Sequence, residues 1–98
     1  MALQQYNPRH PGEFIKRVYL TPFALGSNAL ARQLHVSAGL VSRLINGKVD
    51  VSPEMALKLS KVLGRTPESW LLMQNNYNLD KAKKTMDLDE YEPIAFAG

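Results

Sequence analysis

The stretch from Ser27 to Asn46, SNALARQLHVSAGLVSRLIN, constrains the fold of this chain most. It holds two apolar stripes at helical spacing, Leu30-Ala31-Leu34 and Leu40-Val41-Leu44-Ile45. A turn of three or four residues separates them, which is helix-turn-helix spacing. Packing two short helices at a steep angle demands a small side chain at the crossing, and Ala31 stands there. Val36, just after the turn, and Val41 are expected to plug the core between the helices, with Leu44 or Ile45 continuing it. Ser27 and Ser37 are the expected N-caps of helices at 28–34 and at 38 to about 46. Gly47 then acts as a C-terminal stop. The residue closing the first helix, where the chain turns with positive φ, is His35 in place of the more usual glycine. Histidine tolerates that conformation better than most side chains.

Start and stop signals divide the rest of the chain. His10-Pro11-Gly12-Glu13 opens a helix with proline at its first position. Phe14, Ile15, Val18 and Tyr19 share one face of it. Pro22 is expected to end it at about Leu20, because the residue before a proline avoids the α region. Ser52-Pro53-Glu54 supplies a cap, a first-position proline and an acid favoured by the helix dipole. That helix runs to about Leu63, buries Ala56, Leu59 and Leu63, and stops at Gly64. Thr66-Pro67-Glu68 repeats the signal for a fifth helix, which carries Trp70, Leu71, Met73, Gln74 and Tyr77 and reaches about Lys84. No convincing period-two alternation occurs before Thr85. The expected fold class is therefore all-α, with five helices. The expected organisation is a flexible arm at 1–9, a helix-turn-helix domain at 10–84 and an acidic tail at 85–98 that is mobile or extended.

Composition excludes several functions. The 98 residues fit one domain with short tails. There is no cysteine, so neither a disulfide framework nor a thiolate metal site is available. His10 and His35 are too few for a zinc site without carboxylate help, and no metal site is expected. No apolar run approaches the roughly 20 residues of a membrane helix, and the N-terminus lacks a secretory pattern, which points to the cytoplasm. A Cys/His pair, a GxGxxG run, a phosphate loop and an HExxH helix are all missing, so neither catalysis, a cofactor nor a small-molecule substrate is expected. The charge is unevenly spread. Nine bases face three acids between Arg9 and Arg65, whereas three lysines face six acids from Thr66 onward. A basic body with an acidic end suits a polyanionic partner for the body.

The second helix of the pair presents small or polar residues outward: Ser37, Ala38, Gly39, Ser42, Arg43 and Asn46. A surface of that kind fits the major groove, which admits one α-helix. Residues at its start and one turn on should face base edges, namely Ser37, Ala38, Gly39, Ser42 and Arg43. Ala38 and Gly39 permit close approach or leave room for a thymine methyl. Arg43 is the candidate for guanine or phosphate. Asn46 and Lys48 suit phosphates, as do Ser27 and Asn28 with the first amides of their helix.

These residues also carry a resemblance. HPGEFI at 10–15, NALARQLHVS at 28–37, INGK at 45–48, ALKLSKVLG at 56–64 and TPESWLLMQNNYNLDKA at 66–82 resemble the HigA-type antitoxins. Those belong to the phage-repressor-like (XRE) helix-turn-helix regulators. The likeness runs from about His10 to Lys84, and its HPGE and PESW blocks are its more specific parts. It implies a repressor-like DNA-binding domain acting as a homodimer on palindromic operators of double-stranded DNA upstream of its own operon. It also implies neutralisation of a RelE-like ribonuclease toxin encoded alongside. The Trp70 helix would then contribute to dimerisation, through Trp70, Met73 and Tyr77, although a stripe of that spacing is more often core than interface. Two alternatives stay open: a stand-alone regulator without a toxin, and a protein-interaction module without DNA binding that uses the acidic tail with Tyr91 and Phe96.

Overall fold

A computed structural model describes residues 7–96 of the chain. Most of the expected arm, and the last two residues of the expected tail, lie outside that range. Five helices form the body: α1 (Pro11–Ile15), α2 (Ser27–Leu34), α3 (Ala38–Ile45), α4 (Pro53–Val62) and α5 (Pro67–Thr85). A widened π-type turn, Lys16–Leu20, continues α1, and a 3-10 turn, Leu88–Glu90, follows α5. No strand occurs among the described residues, so the all-α fold class holds.

Local chemistry sets most of the helix ends. Ser37, Ser52 and Thr66 accept hydrogen bonds from the amides of Leu40, Met55 and Ser69 at 3.0, 3.1 and 3.0 Å. Each satisfies one orphan donor of a first turn. The cap expected from Ser27 is not made. Ser27 is itself the first helical residue, and Gly26 holds the N-cap without a side-chain bond. His10 supplies an unforeseen cap, its Nδ1 accepting from the Gly12 amide at 2.9 Å. α2 ends on His35 with φ 58°. The Val36 amide reaches back to Ala31 and the His35 amide to Arg32, which is a Schellman closure with histidine where glycine is usual. α3 closes the same way. Gly47 has φ 72°, and the Lys48 amide reaches Arg43 at 2.8 Å.

The first helix departs from expectation after Ile15. The Thr21 amide reaches back five residues to Lys16 at 2.9 Å, and Thr21 keeps helical dihedrals although Pro22 follows it. Pro22 supplies the reason. It has no N–H, and its ring would strike the carbonyl four residues earlier in a regular helix. The turn ahead of it widens instead.

The core gathers Ile15, Leu20, Leu30, Ala31, Leu34, Val41, Leu44, Val51, Met55, Ala56, Leu59 and Trp70. A fully buried large side chain of this kind contributes about 1.5–3 kcal/mol. Val36 is only half-buried and packs against this cluster from its edge. Trp70 has no exposed surface, and its indole N–H donates to the Gly64 carbonyl at 2.9 Å. Phe14 and Tyr19 meet its ring at 5.9 and 6.3 Å. Residues 86–96 follow α5 with every side chain exposed.

Candidate nucleic-acid interface

α3 is built so that one side holds it and the other is left to solvent. Val41 and Leu44 are buried, with Leu40 and Ile45 packed at the margin. Ser37, Ala38, Gly39, Ser42, Arg43, Asn46 and Lys48 are all exposed. All seven sequence-predicted residues on α3, its N-cap and its following turn therefore lie on solvent-facing surface. Asn28 is exposed and Ser27 half-exposed at the start of α2.

Details of this surface follow from side-chain length. Gly39 lies under the Arg43 side chain: a Cβ built on Gly39 would stand 3.5 Å from the guanidinium Nη1. Arg43 thus leans back over the first turn of its own helix, as long helical side chains do. Asn46 donates to the Ser42 carbonyl at 2.9 Å and closes the last turn. The ion pairs among the described residues are Arg9–Glu13, Arg17–Glu13 and Lys84–Asp80, at 3.0, 3.6 and 3.0 Å. None engages Arg32, Arg43 or Lys48, so the field of these cations is not cancelled locally.

Residues outside the surface set its position. Gly12 lets α1 touch the end of α3. A Cβ there would overlap the Leu44 carbonyl oxygen and stand 2.7 Å from its carbon and 2.9 Å from the Ile45 Cα. The His10 ring packs beneath Gly47, just past α3, and meets Tyr77 edge-on at 5.1 Å. Its Nε2 is buried without a well-formed hydrogen bond. Burial pushes the His10 pKa below its ordinary value, and Lys81 adds to the shift, whereas Asp50 and the Val49 backbone oppose it. The loop after α3 is pinned to α5. Gln74, itself buried, accepts from the Val51 amide at 2.8 Å and donates to Asn78 at 3.1 Å. Asn78 then donates to Asp50 at 3.1 Å. Sequence reasoning missed this chain of bonds, because its members are far apart in sequence and carry no motif. It also missed Gly12 and the His10 cap, for which the HPGE block was the available signal.

The expected subunit-contact residues on α5 fare unequally. Trp70 is wholly inside its own chain's core, so it offers no surface to a second copy. The indole has to be there because Phe14, Tyr19 and the Gly64 carbonyl surround it. Met73 and Tyr77 are half-buried. Leu72 and Leu79, on the same helix, are exposed.

Known proteins share this architecture. The helix-turn-helix family profile matches residues 27–71. An uncharacterized HTH-type transcriptional regulator of Escherichia coli K12, YddM, is 36% identical over 86 residues, spanning 88% of this chain and 90% of the relative. Antitoxin HigA-1 of Vibrio cholerae is 43% identical over 79 residues, 81% of this chain and 74% of the antitoxin. Among solved structures, antitoxin GraA in complex with its operator superposes with a TM-score of 0.84 at 29% identity, covering 99% of this chain and all of the other. With its exposed α3 face, its left-handed turn at His35 and these likenesses, the chain belongs to the HigA-type antitoxins of the helix-turn-helix regulator family.

Proposed function

We propose that this chain binds operator DNA as a homodimer, represses its own operon, and neutralises a RelE-like ribonuclease toxin in the cytoplasm. The observation that carries the proposal is the exposed, locally uncompensated basic face of α3 in a chain that superposes on an antitoxin bound to its operator. In this reading Ser37, Ala38, Gly39, Ser42 and Arg43 meet base edges, while Ser27, Asn28, Asn46 and Lys48 hold phosphates. Ala38 and Gly39 keep the helix start flat, so that the backbone comes close to the groove floor. A single helix reads few base pairs, and each mismatch costs about 1–3 kcal/mol. Two copies on a palindrome double that readout across half-sites about one turn apart. The copies meet on α5 through Met73, Tyr77 and the exposed leucines beside them, and Trp70 supports that helix from within.

Fluorescence anisotropy with a duplex taken from upstream of the chain's own gene tests the proposal. Affinity should fall steeply with salt, each neutralised phosphate adding about −0.9 to the log–log slope. Arg43→Ala should weaken specific binding by about tenfold or more and leave the helical circular dichroism unchanged. A flat salt profile together with an indifferent Arg43→Ala variant would remove DNA from the function.

A further inference from the structure

The hydrogen bonds between α5 and the loop after α3 form a relay with a fixed sense. Val51 and Gln74 are each 4% exposed, and the Val51 amide donates to Gln74 Oε1 at 2.8 Å. With that oxygen engaged, the Gln74 amide group turns its NH2 the other way and donates to Asn78 Oδ1 at 3.1 Å. The Asn78 NH2 is thereby directed at Asp50, whose carboxylate only accepts, and donates to Oδ2 at 3.1 Å. Each bond dictates the orientation of the next, from a buried backbone amide out to an anion. Gln74, Tyr77 and Asn78 stand three and four residues apart, so they share one face of α5. Tyr77 adds a second tie: it meets edge-on, at 5.1 Å, the His10 ring that packs beneath Gly47.

An apolar contact would bury the same place without selecting one rotation of α5, because the hydrophobic effect is not directional. A satisfied polar relay holds a single arrangement. What this one holds is the angle between α5 and the exit of α3. In a symmetric pair joined through α5, the separation of the two α3 helices depends on how the copies meet and on that angle. Two-fold symmetry repeats any error of the angle in the second copy, so both errors act on the separation. DNA leaves little latitude, since one extra base pair between half-sites moves the second by about 3.4 Å and turns it by about 35°. We propose that the Gln74–Asn78–Asp50 relay sets the half-site spacing that the homodimer accepts, with Asn78 as a positioning residue that acts through Gln74 and touches no DNA. The inference rests on the operator-binding homodimer reading above.

The probe is a duplex from upstream of the chain's own gene, its palindrome located by footprinting, used as it stands and with one base pair added or removed at the centre. Three full-length proteins are compared by fluorescence anisotropy: the parent, Asn78→Asp, and Asn78→Asp combined with Asp50→Asn. The single change sets two carboxylates against each other at exposed positions and breaks the last link. The double change exchanges the two groups, so that position 50 donates to position 78 at the parent's net charge. The parent should lose about 100-fold in affinity when the spacing changes, because only one half-site can then be engaged. In Asn78→Asp that penalty should shrink to about tenfold or less, and in the double variant it should return to the parent's value. A loss of stability or a change of charge lowers affinity for every spacing alike, so a merely structural role leaves the ratio between spacings unmoved. If Asn78→Asp keeps the parent's penalty, or the double variant does not recover it, the inference is overturned while the operator-binding reading stands. If the parent binds no palindrome, or binds all three spacings equally, the homodimer reading fails and takes this inference with it.

Discussion

Replacing Gly12 by alanine adds one methyl group at the place where α1 meets α3. The target of that methyl is backbone: it would overlap the Leu44 carbonyl oxygen and crowd the Ile45 Cα at 2.9 Å. A side chain struck in this way can rotate aside, but a helix backbone cannot, so α1 and the end of α3 must separate. Overpacking of a formed interface costs about 1–3 kcal/mol, and more when backbone has to move. Alanine returns about 0.5–1 kcal/mol through its better helix propensity and a less free unfolded chain. The net loss should be about 2 kcal/mol, a drop in Tm of roughly 8–16 °C for a domain this small. Thermal circular dichroism measures it directly. Operator affinity should fall as well, even well below Tm, because the displaced segment is the end of α3, the helix proposed to meet the DNA. Gly26→Ser is the matched control: nothing lies within 4 Å of its added Cβ, and a serine there gives α2 the side-chain cap it lacks, which is worth a few tenths of a kcal/mol. A Gly12→Ala protein that melts within about 2 °C of the parent would refute the close-approach reasoning.

Three further outcomes are expected. His35→Gly relieves a left-handed non-glycine residue and should stabilise the fold by about 1 kcal/mol, visible as a higher Tm; a lower Tm would show that the imidazole has a packing role outweighing the strain. Gln74→Leu leaves the buried Val51 amide without its acceptor, which should cost about 1–3 kcal/mol and speed hydrogen exchange at that amide; unchanged exchange would dismiss the bond. Because burial depresses the His10 pKa, the folded state binds fewer protons than the unfolded state in the window just below the ordinary value of about 6.5. The His10 contribution is therefore complete above that value and is lost as pH falls through the folded-state pKa. Urea titrations from neutral to mildly acid pH should show stability declining in the parent and a flatter profile in His10→Asn, which keeps a capping acceptor; equal slopes would acquit His10.

What the sequence disclosed was local. The caps at Ser37, Ser52 and Thr66 act on amides three residues away, and the turn at His35 is announced by its place after the Leu30-Ala31-Leu34 stripe. The exposed face of α3 was legible for the same reason, since the helical period turns Val41 and Leu44 inward and leaves Ser42 and Arg43 exposed. What stayed hidden depends on distant parts of the chain. The Gln74–Val51 and Asn78–Asp50 bonds span 23 and 28 residues. Trp70 was readable as core or as interface from its spacing alone, and only its surroundings decide. The Ser27 cap failed because Gly26 takes the preceding extended position, a shift of one residue that propensity does not resolve.

The placement of Trp70 has a practical corollary. It is the chain's one tryptophan, dry on every side, and its N–H is already committed to Gly64. Its fluorescence is therefore a built-in gauge of whether the body is intact, shielded from anything that arrives at the α3 exterior. A variant that loses operator affinity with unaltered emission has lost recognition; one whose emission shifts to the red has lost its architecture, and no label is needed to tell the two apart.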